Sequence, residues 1–238
     1  EGFNTALGYK EGYGGGGNGS YNNFIGYESG YGITTGSNNN FIGYQSGYSN
    51  TTGIHNNFIG SQAGYSNTTG SHNDFIGFIA GQDNTTGEQN VFLGDSAGRQ
   101  NRTGSYNTYV GNGAANGNNM YGSSNNYFGE SAGGDSIGSD NFFMGNSAGS
   151  VSLGSRLFFI GKESGLNNVY GSGDTGVGYQ TLYSLIPTDS GTGAITAFAD
   201  SDIEPGTKTK VSSDAHGLAN DQEIVIVSTT NYNGVWII

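Results

Sequence analysis

Apolar residues along the chain come in clusters of two or three, each closed by a glycine and separated by polar stretches of near-constant length. Aligned on that glycine, the clusters fall at Gly8, Gly26, Gly43, Gly60, Gly77, Gly94, Gly111, Gly129, Gly145, Gly161 and Gly178, at intervals of 16 to 18 residues. Two adjacent copies, NNFIGYQSGYSNTTGIH (39–55) and NNFIGSQAGYSNTTGSH (56–72), show the unit most plainly. An apolar residue precedes each anchor glycine: Ile25, Ile42, Ile59, Ile76, Leu93, Val110 and Ile160 form its aliphatic series. One step earlier stands an aromatic: Phe24, Phe41, Phe58, Phe75, Phe92, Tyr109, Tyr127, Phe143 and Phe159. Ala or Ser follows three residues after the anchor, a second glycine comes next, and a third closes the unit after Thr-Thr, as at Gly53 and Gly70. Two or three glycines per unit would each cost about 1 kcal/mol in a helix. The grammar instead predicts short strands joined by tight turns, with glycine supplying positive φ. A self-similar unit of this size is one coil of a β-solenoid. Coils stacked at the interstrand distance of about 4.8 Å give a rod of roughly 48 Å over ten steps.

Alternation assigns faces, because residues i, i+2 and i+4 share one. The aliphatic position and the Ala/Ser position have the same parity, which places both in the lumen. The aromatic position has opposite parity, which sends its ladder outward. An apolar strip of that length exceeds what a soluble monomer exposes. It therefore calls for cover by a second sheet or by neighbouring chains, as when three coils pack around a common axis. Asn recurs at 22–23, 38–40, 56–57, 73, 90, 107, 125–126 and 141, where stacked amides can hydrogen-bond from coil to coil.

Composition narrows the class further. With 46 Gly but no three-residue period, collagen is excluded. The absence of Cys removes disulfides and Cys-based zinc sites. Aromatic residues at 13% argue against the disorder that Gly and Asn would otherwise imply. The net charge is −12, and no Lys or Arg lies between Lys10 and Arg99, so a basic footprint for nucleic acid or anionic membrane is missing. The longest aliphatic run is far short of a membrane span. The chain begins at Glu1 inside a repeat, which reads as a fragment or a processed product.

Candidate chemistry is sparse. His55 and His72 share a turn position but lack the further ligands of a metal site, and His216 reads as a turn residue. GSGDTG (171–176) carries the aspartate of a calcium-binding repeat only once. The acids form no recurring pair for glycoside cleavage, and Gly14–Gly17 lacks the Lys and helix of a phosphate loop. Neither catalysis, nor a metal, nor a cofactor is expected. Thr pairs at 34–35, 51–52, 68–69 and 85–86 form a polar ladder over four coils, the kind of array that ice-binding solenoids turn outward. The same turns carry Asn-x-Thr sequons at Asn50, Asn67, Asn84 and Asn101. Tyr27, Tyr44, Tyr31, Tyr48 and Tyr65 are candidate glycan contacts by ring stacking, and equally candidates to pad a subunit interface.

The motif N-x-[FA]-[IL]-G-x-x-[AS]-G-x-x-x-T-T-G, clearest at NTALGY (4–9) and over 39–70, resembles the head repeats of trimeric autotransporter adhesins. It is closer still to Gly-Tyr repeats of phage tail fibres and large bacterial surface proteins. The resemblance covers about residues 1–180 and implies a left-handed, trimeric β-roll serving attachment. The unit here is longer than those head repeats, and an aromatic stands where they carry a small residue. Ala115 and Leu182 replace the second glycine in two later copies.

The expected organisation is a solenoid shaft over 1–185, a linker over 186–193 around Pro187, and a small antiparallel β module over 194–238. Its strands are read at 194–199, 207–213, 223–229 and 234–238, and the last is free to complete another subunit's sheet. The segment 207–234 resembles a β module of phage and bacterial surface proteins. The functional expectation is a rod-like structural or adhesive fibre, extracellular, on a cell surface or virion. Its partners are itself, as trimer or filament, and a host-surface glycan or receptor. The alternatives are a subunit of a self-assembling extracellular filament and a carbohydrate-binding solenoid.

Overall fold

The computed structural model describes residues 2–14, 19–117, 121–169 and 171–183, with the backbone of three further strands. It is an all-β solenoid. Eleven strands stack in chain order: β1 (Thr5–Tyr9), β2 (Asn23–Tyr27), β3 (Asn40–Ile42), β4 (Asn57–Ile59), β5 (Asp74–Ile76), β6 (Val91–Leu93), β7 (Thr108–Val110), β8 (Asn126–Phe128), β9 (Phe142–Met144), β10 (Phe158–Ile160) and β11 (Thr175–Val177). Each is parallel to the next. Equivalent repeat positions pair, as Phe41 with Phe58 and Ile42 with Ile59. β12 (Thr196–Phe198) continues the parallel order beside β11, and β13 (Lys208–Val211) pairs antiparallel with β14 (Ile224–Val227). The expected linker, His216 and the expected strand over 234–238 lie outside the described residues.

Only one side of each coil is regular strand, yet the bends are hydrogen-bonded coil to coil as well. Gly47 N donates to Ala63 O at 2.9 Å, and Thr51 N donates to Thr68 O at 2.9 Å. The backbone polar groups of a bend thus find partners in the neighbouring coil, as buried groups require.

For the aromatic and aliphatic columns the faces are the reverse of those alternation assigns, while the Ala/Ser position is in the lumen as expected. The aromatic ladder from Phe24 to Phe159 fills the lumen, at 0–3% exposure. Successive rings stack 4.6 to 5.7 Å apart. The aliphatic ladder of Ile25, Ile42, Ile59, Ile76, Leu93, Val110 and Ile160 points outward and is only partly covered. The Ala/Ser position is inside, beside the rings. No second sheet or sibling chain is needed to cover the aromatics, which removes that argument for three coils around an axis.

Backbone geometry explains the inversion. The anchor glycine holds φ near +140°, and the residue two steps later is left-handed whatever its type: Glu28, Gln45, Gln62, Ile79 and Ser96 lie between +50° and +58°. A period of two holds only along extended backbone, so parity does not carry across these bends.

The second glycine is then forced by the ring. A Cβ on Gly81 would sit 2.5 Å from the Cδ2 and Cε2 atoms of Phe75. In the last coil the ring position is Gly176, and there Leu182 replaces the second glycine, holds φ of 49° and packs against the core. Ser and Ala alternate freely at the small position because a lumenal serine donates to the next coil, as Ser46 Oγ does to Phe58 O at 2.9 Å.

Two Asn ladders line the remaining lumen. In the first, Asn56 N donates to Asn39 Oδ1 at 3.0 Å and Asn56 Nδ2 to Gly70 O at 2.8 Å. In the second, Asn67 Nδ2 donates to Asn50 Oδ1, and Asn84 Nδ2 to Asn67 Oδ1, both at 2.7 Å. This second ladder is the sequon series Asn50, Asn67, Asn84 and Asn101, all at 0% exposure. In the folded coil these amides are out of a glycosylating enzyme's reach.

Candidate interaction surface

With the aromatics inside, four outward features remain. The first is the aliphatic column. It runs from Leu7 through Ile25, Ile42, Ile59, Ile76, Leu93, Val110, Phe128, Met144 and Ile160 to Val177 without a charged residue. Leu93 is 45% exposed and the isoleucines are half-buried. Beside it in the early coils runs an outward amide ladder, Asn23 Nδ2 to Asn40 Oδ1 and Asn40 Nδ2 to Asn57 Oδ1, each 2.8 Å. In the later coils the same column becomes Phe142 and Phe158, stacked at 5.1 Å, so the apolar face widens there.

The second feature is a pair of tyrosine ladders. Tyr9, Tyr27 and Tyr44 stack at 5.3 and 5.4 Å. Tyr13, Tyr31, Tyr48 and Tyr65 stack at 5.3, 5.0 and 5.0 Å, nearly parallel. The structure thus places the five candidate glycan contacts in two rows. Within a row the rings cover one another's faces, so an inner tyrosine offers its edge and hydroxyl. Among the described residues each row stops at both ends, at Tyr9 and Tyr44 and at Tyr13 and Tyr65, where one ring face is not covered by another tyrosine. The Glu28 carboxylate is the main reason the Tyr27 phenol is raised above its ordinary range. For Tyr48 the main cause is desolvation, with Glu28 second.

The third feature is polar. Gln45 Nε2 donates to Glu28 Oε2 at 2.9 Å, Gln62 Nε2 to Gln45 Oε1 at 3.3 Å, Gln82 Nε2 to Gln62 Oε1 at 3.1 Å, and Arg99 Nε to Gln82 Oε1 at 3.2 Å. Glu28, Gln45 and Gln62 stand one residue past the first tyrosine row, and Gln82 and Arg99 continue the column of Tyr31, Tyr48 and Tyr65. The fourth feature is the threonine turn. Thr34, Thr51 and Thr68 spend their hydroxyls on the next coil's carbonyl at 3.0 Å, which leaves one outward rank at Thr35, Thr52, Thr69 and Thr86. A single rank falls short of the two-dimensional array that matching a crystal face requires.

His55 and His72 are exposed and stack at 5.0 Å. Asp174 of the GSGDTG segment is buried and accepts from Asn168 Nδ2 at 2.8 Å. Among the described residues no group of three or more His, Asp or Glu is placed to hold a metal ion. No described helix is long and apolar enough to cross a membrane.

One element of the surface escaped the sequence reading. Ser61 interrupts the first tyrosine row, and Phe78, 53% exposed, resumes it one coil later. The signal was present in the repeat alignment, as a small residue at a position otherwise aromatic from Tyr9 to Phe78.

No family model, curated protein or solved structure matches the chain.

Proposed function

We propose that this chain is the stiff shaft of a structural or attachment fibre, in which identical copies associate side by side through the outward aliphatic column. The observation that carries the reading is that column: eleven uncharged rungs on one face of a parallel sheet, partly open to water. A strip about 50 Å long and two side chains wide amounts to on the order of 500 Å². That lies at the upper end of what a soluble monomer exposes and approaches the roughly 800 Å² per partner of a standard interface. A second copy is the occupant that fits best. Its ridges repeat at the same spacing, so branched side chains interdigitate along the whole length, whereas a non-repetitive partner matches only a few rungs. The net charge of −12 repels copies elsewhere and confines contact to the uncharged strip.

Stiffness follows from the lumen, where rings and amides bond to both neighbours. In this reading the chain's work is mechanical: it holds whatever lies beyond it at a distance from a cell or virion surface. The resemblance of residues 4–9 and 39–70 to attachment-fibre repeats supports the same reading.

The test is sedimentation of the full chain over a range of concentrations, beside an Ile59→Lys/Leu93→Lys variant whose changes face outward. The expected result is a discrete oligomer for the native chain and a monomer with unchanged circular dichroism for the variant. Growth without limit would replace the shaft with a self-assembling filament. A native chain that stays monomeric would overturn both.

A further inference from the structure

The row that begins with Tyr9, Tyr27 and Tyr44 is missing a ring. Tyr27 is covered on both faces by its neighbours, with interplanar angles of 17° and 13°. Tyr44 is covered by Tyr27 on one face only, and its other face turns toward the coil of Ser61. Phe78 stands one coil further on. In the lumen the same two steps carry Phe41 to Phe58 and Phe58 to Phe75, 4.9 and 4.8 Å apart. The outward gap from Tyr44 to Phe78 is therefore about 10 Å. A ring placed midway lies about 5 Å from each side, within the range of ordinary aromatic contact. Tyr31, Tyr48 and Tyr65 stack at this same spacing in the neighbouring row, 5.0 Å per step.

The floor and rim of the gap are polar. Ser61 Oγ makes no hydrogen bond to the described residues. Gln62, next to it, uses one amide hydrogen on Gln45 and keeps the other. The Tyr44 hydroxyl stands at the outer edge, on a ring that is 49% exposed.

We propose that this one-rung gap is a binding subsite for a single pyranose ring of a glycan. A pyranose is a puckered ring with C–H bonds on both faces and hydroxyls around its edge. Its faces meet Tyr44 and Phe78, and its edge meets Ser61 Oγ and the Gln62 amide. A flat apolar ring satisfies the walls but sets an apolar edge against the Ser61 hydroxyl, stripping it of water without a partner. One ring in an open notch makes a weak site, with a dissociation constant on the order of millimolar. The subsite does not depend on association through the aliphatic column.

The test is saturation-transfer NMR with titration of the intact chain against methyl pyranosides of glucose, galactose, mannose and N-acetylglucosamine. The variants are Ser61→Tyr, Tyr44→Ala and Tyr179→Ala. Ser61→Tyr fills the gap with the ring that Tyr27 and Tyr44 already carry at this position, so the coil keeps its fold, and circular dichroism checks that it does. At least one pyranoside is expected to bind the native chain. Its affinity should fall ten-fold or more in Ser61→Tyr and in Tyr44→Ala, and stay unchanged in Tyr179→Ala at the far end of the same column. The proposal is overturned if no pyranoside binds the native chain, if Ser61→Tyr binds as the native chain does, or if p-cresol binds where every pyranoside fails.

Discussion

Replacing Gly77 by alanine tests the physical basis of the stack most directly. Gly77 holds φ of +143°, outside the regions open to residues with a Cβ. Holding alanine there costs about 1–3 kcal/mol. The added Cβ would also fall within the van der Waals envelope of the Gly94 carbonyl in the next coil. Relief requires the two coils to part by about 1 Å, which breaks the adjacent bond from Gly94 N to Ile76 O, now 2.9 Å. A lost backbone bond of this kind is worth about 1 kcal/mol, so the expected cost is about 2–4 kcal/mol.

Gly113→Ala is the control. Its φ is +63°, and its added Cβ meets nothing nearer than Ser131 Oγ at 3.6 Å. Left-handed strain of about 1 kcal/mol is offset there by the lower entropy of the unfolded chain, so the net change is below about 1 kcal/mol. Thermal unfolding followed by far-ultraviolet circular dichroism reads the difference. At about 2–4 °C per kcal/mol for a chain of this size, Gly77→Ala should melt about 10 °C lower and Gly113→Ala within about 3 °C of the native chain. Equal shifts in the two variants would refute the claim that close coil approach, rather than glycine as such, fixes the anchor.

Two further outcomes follow from the lumen and the ladders. Asn67→Ala strands Asn50 Oδ1 and one of the two Asn84 Nδ2 hydrogens, the other staying on Gly87 O, in a buried interior and should cost about 2–4 kcal/mol, whereas Asn57→Ala on the outer ladder, where water replaces the lost amide, should cost under about 1 kcal/mol. Urea denaturation of the two variants reads the contrast, and equal losses would refute the burial argument. Burial pushes the Tyr127 phenol up to about 12, against side-chain hydrogen bonds with Ser136, to whose Oγ the phenol donates, and Asn141 that lower it. The unfolded chain ionises this group near pH 10 while the fold keeps it protonated, so its neutral-state stability is intact below pH 10 and drains away from pH 10 to about 12. The native chain should therefore lose about 1.4 kcal/mol per pH unit relative to Tyr127→Phe across that window, and parallel pH profiles would count against it.

The repeat by itself determined the period, the parallel order and the ladders. A chain that repeats every 17 residues and stacks by backbone hydrogen bonds must set like on like, so Phe41 above Phe58 and Ile42 above Ile59 follow from spacing alone. The nine-ring aromatic series was legible for the same reason, as were its ends, where Ala6 and Gly176 take the ring position. Which column faces inward was decided only by the tertiary structure. Gln45, Gln62 and Ile79 are left-handed because the coil bends there, not because Gln or Ile favours it, and each bend cancels the parity count. Volume then settles the choice: a flat ring fits the lumen because a bare glycine lies against its face, as Gly81 does against Phe75. The burial of the sequon asparagines and the outward facing of the Ser61 position were decided there for a related reason, since exposure belongs to the wound coil and not to the residue type.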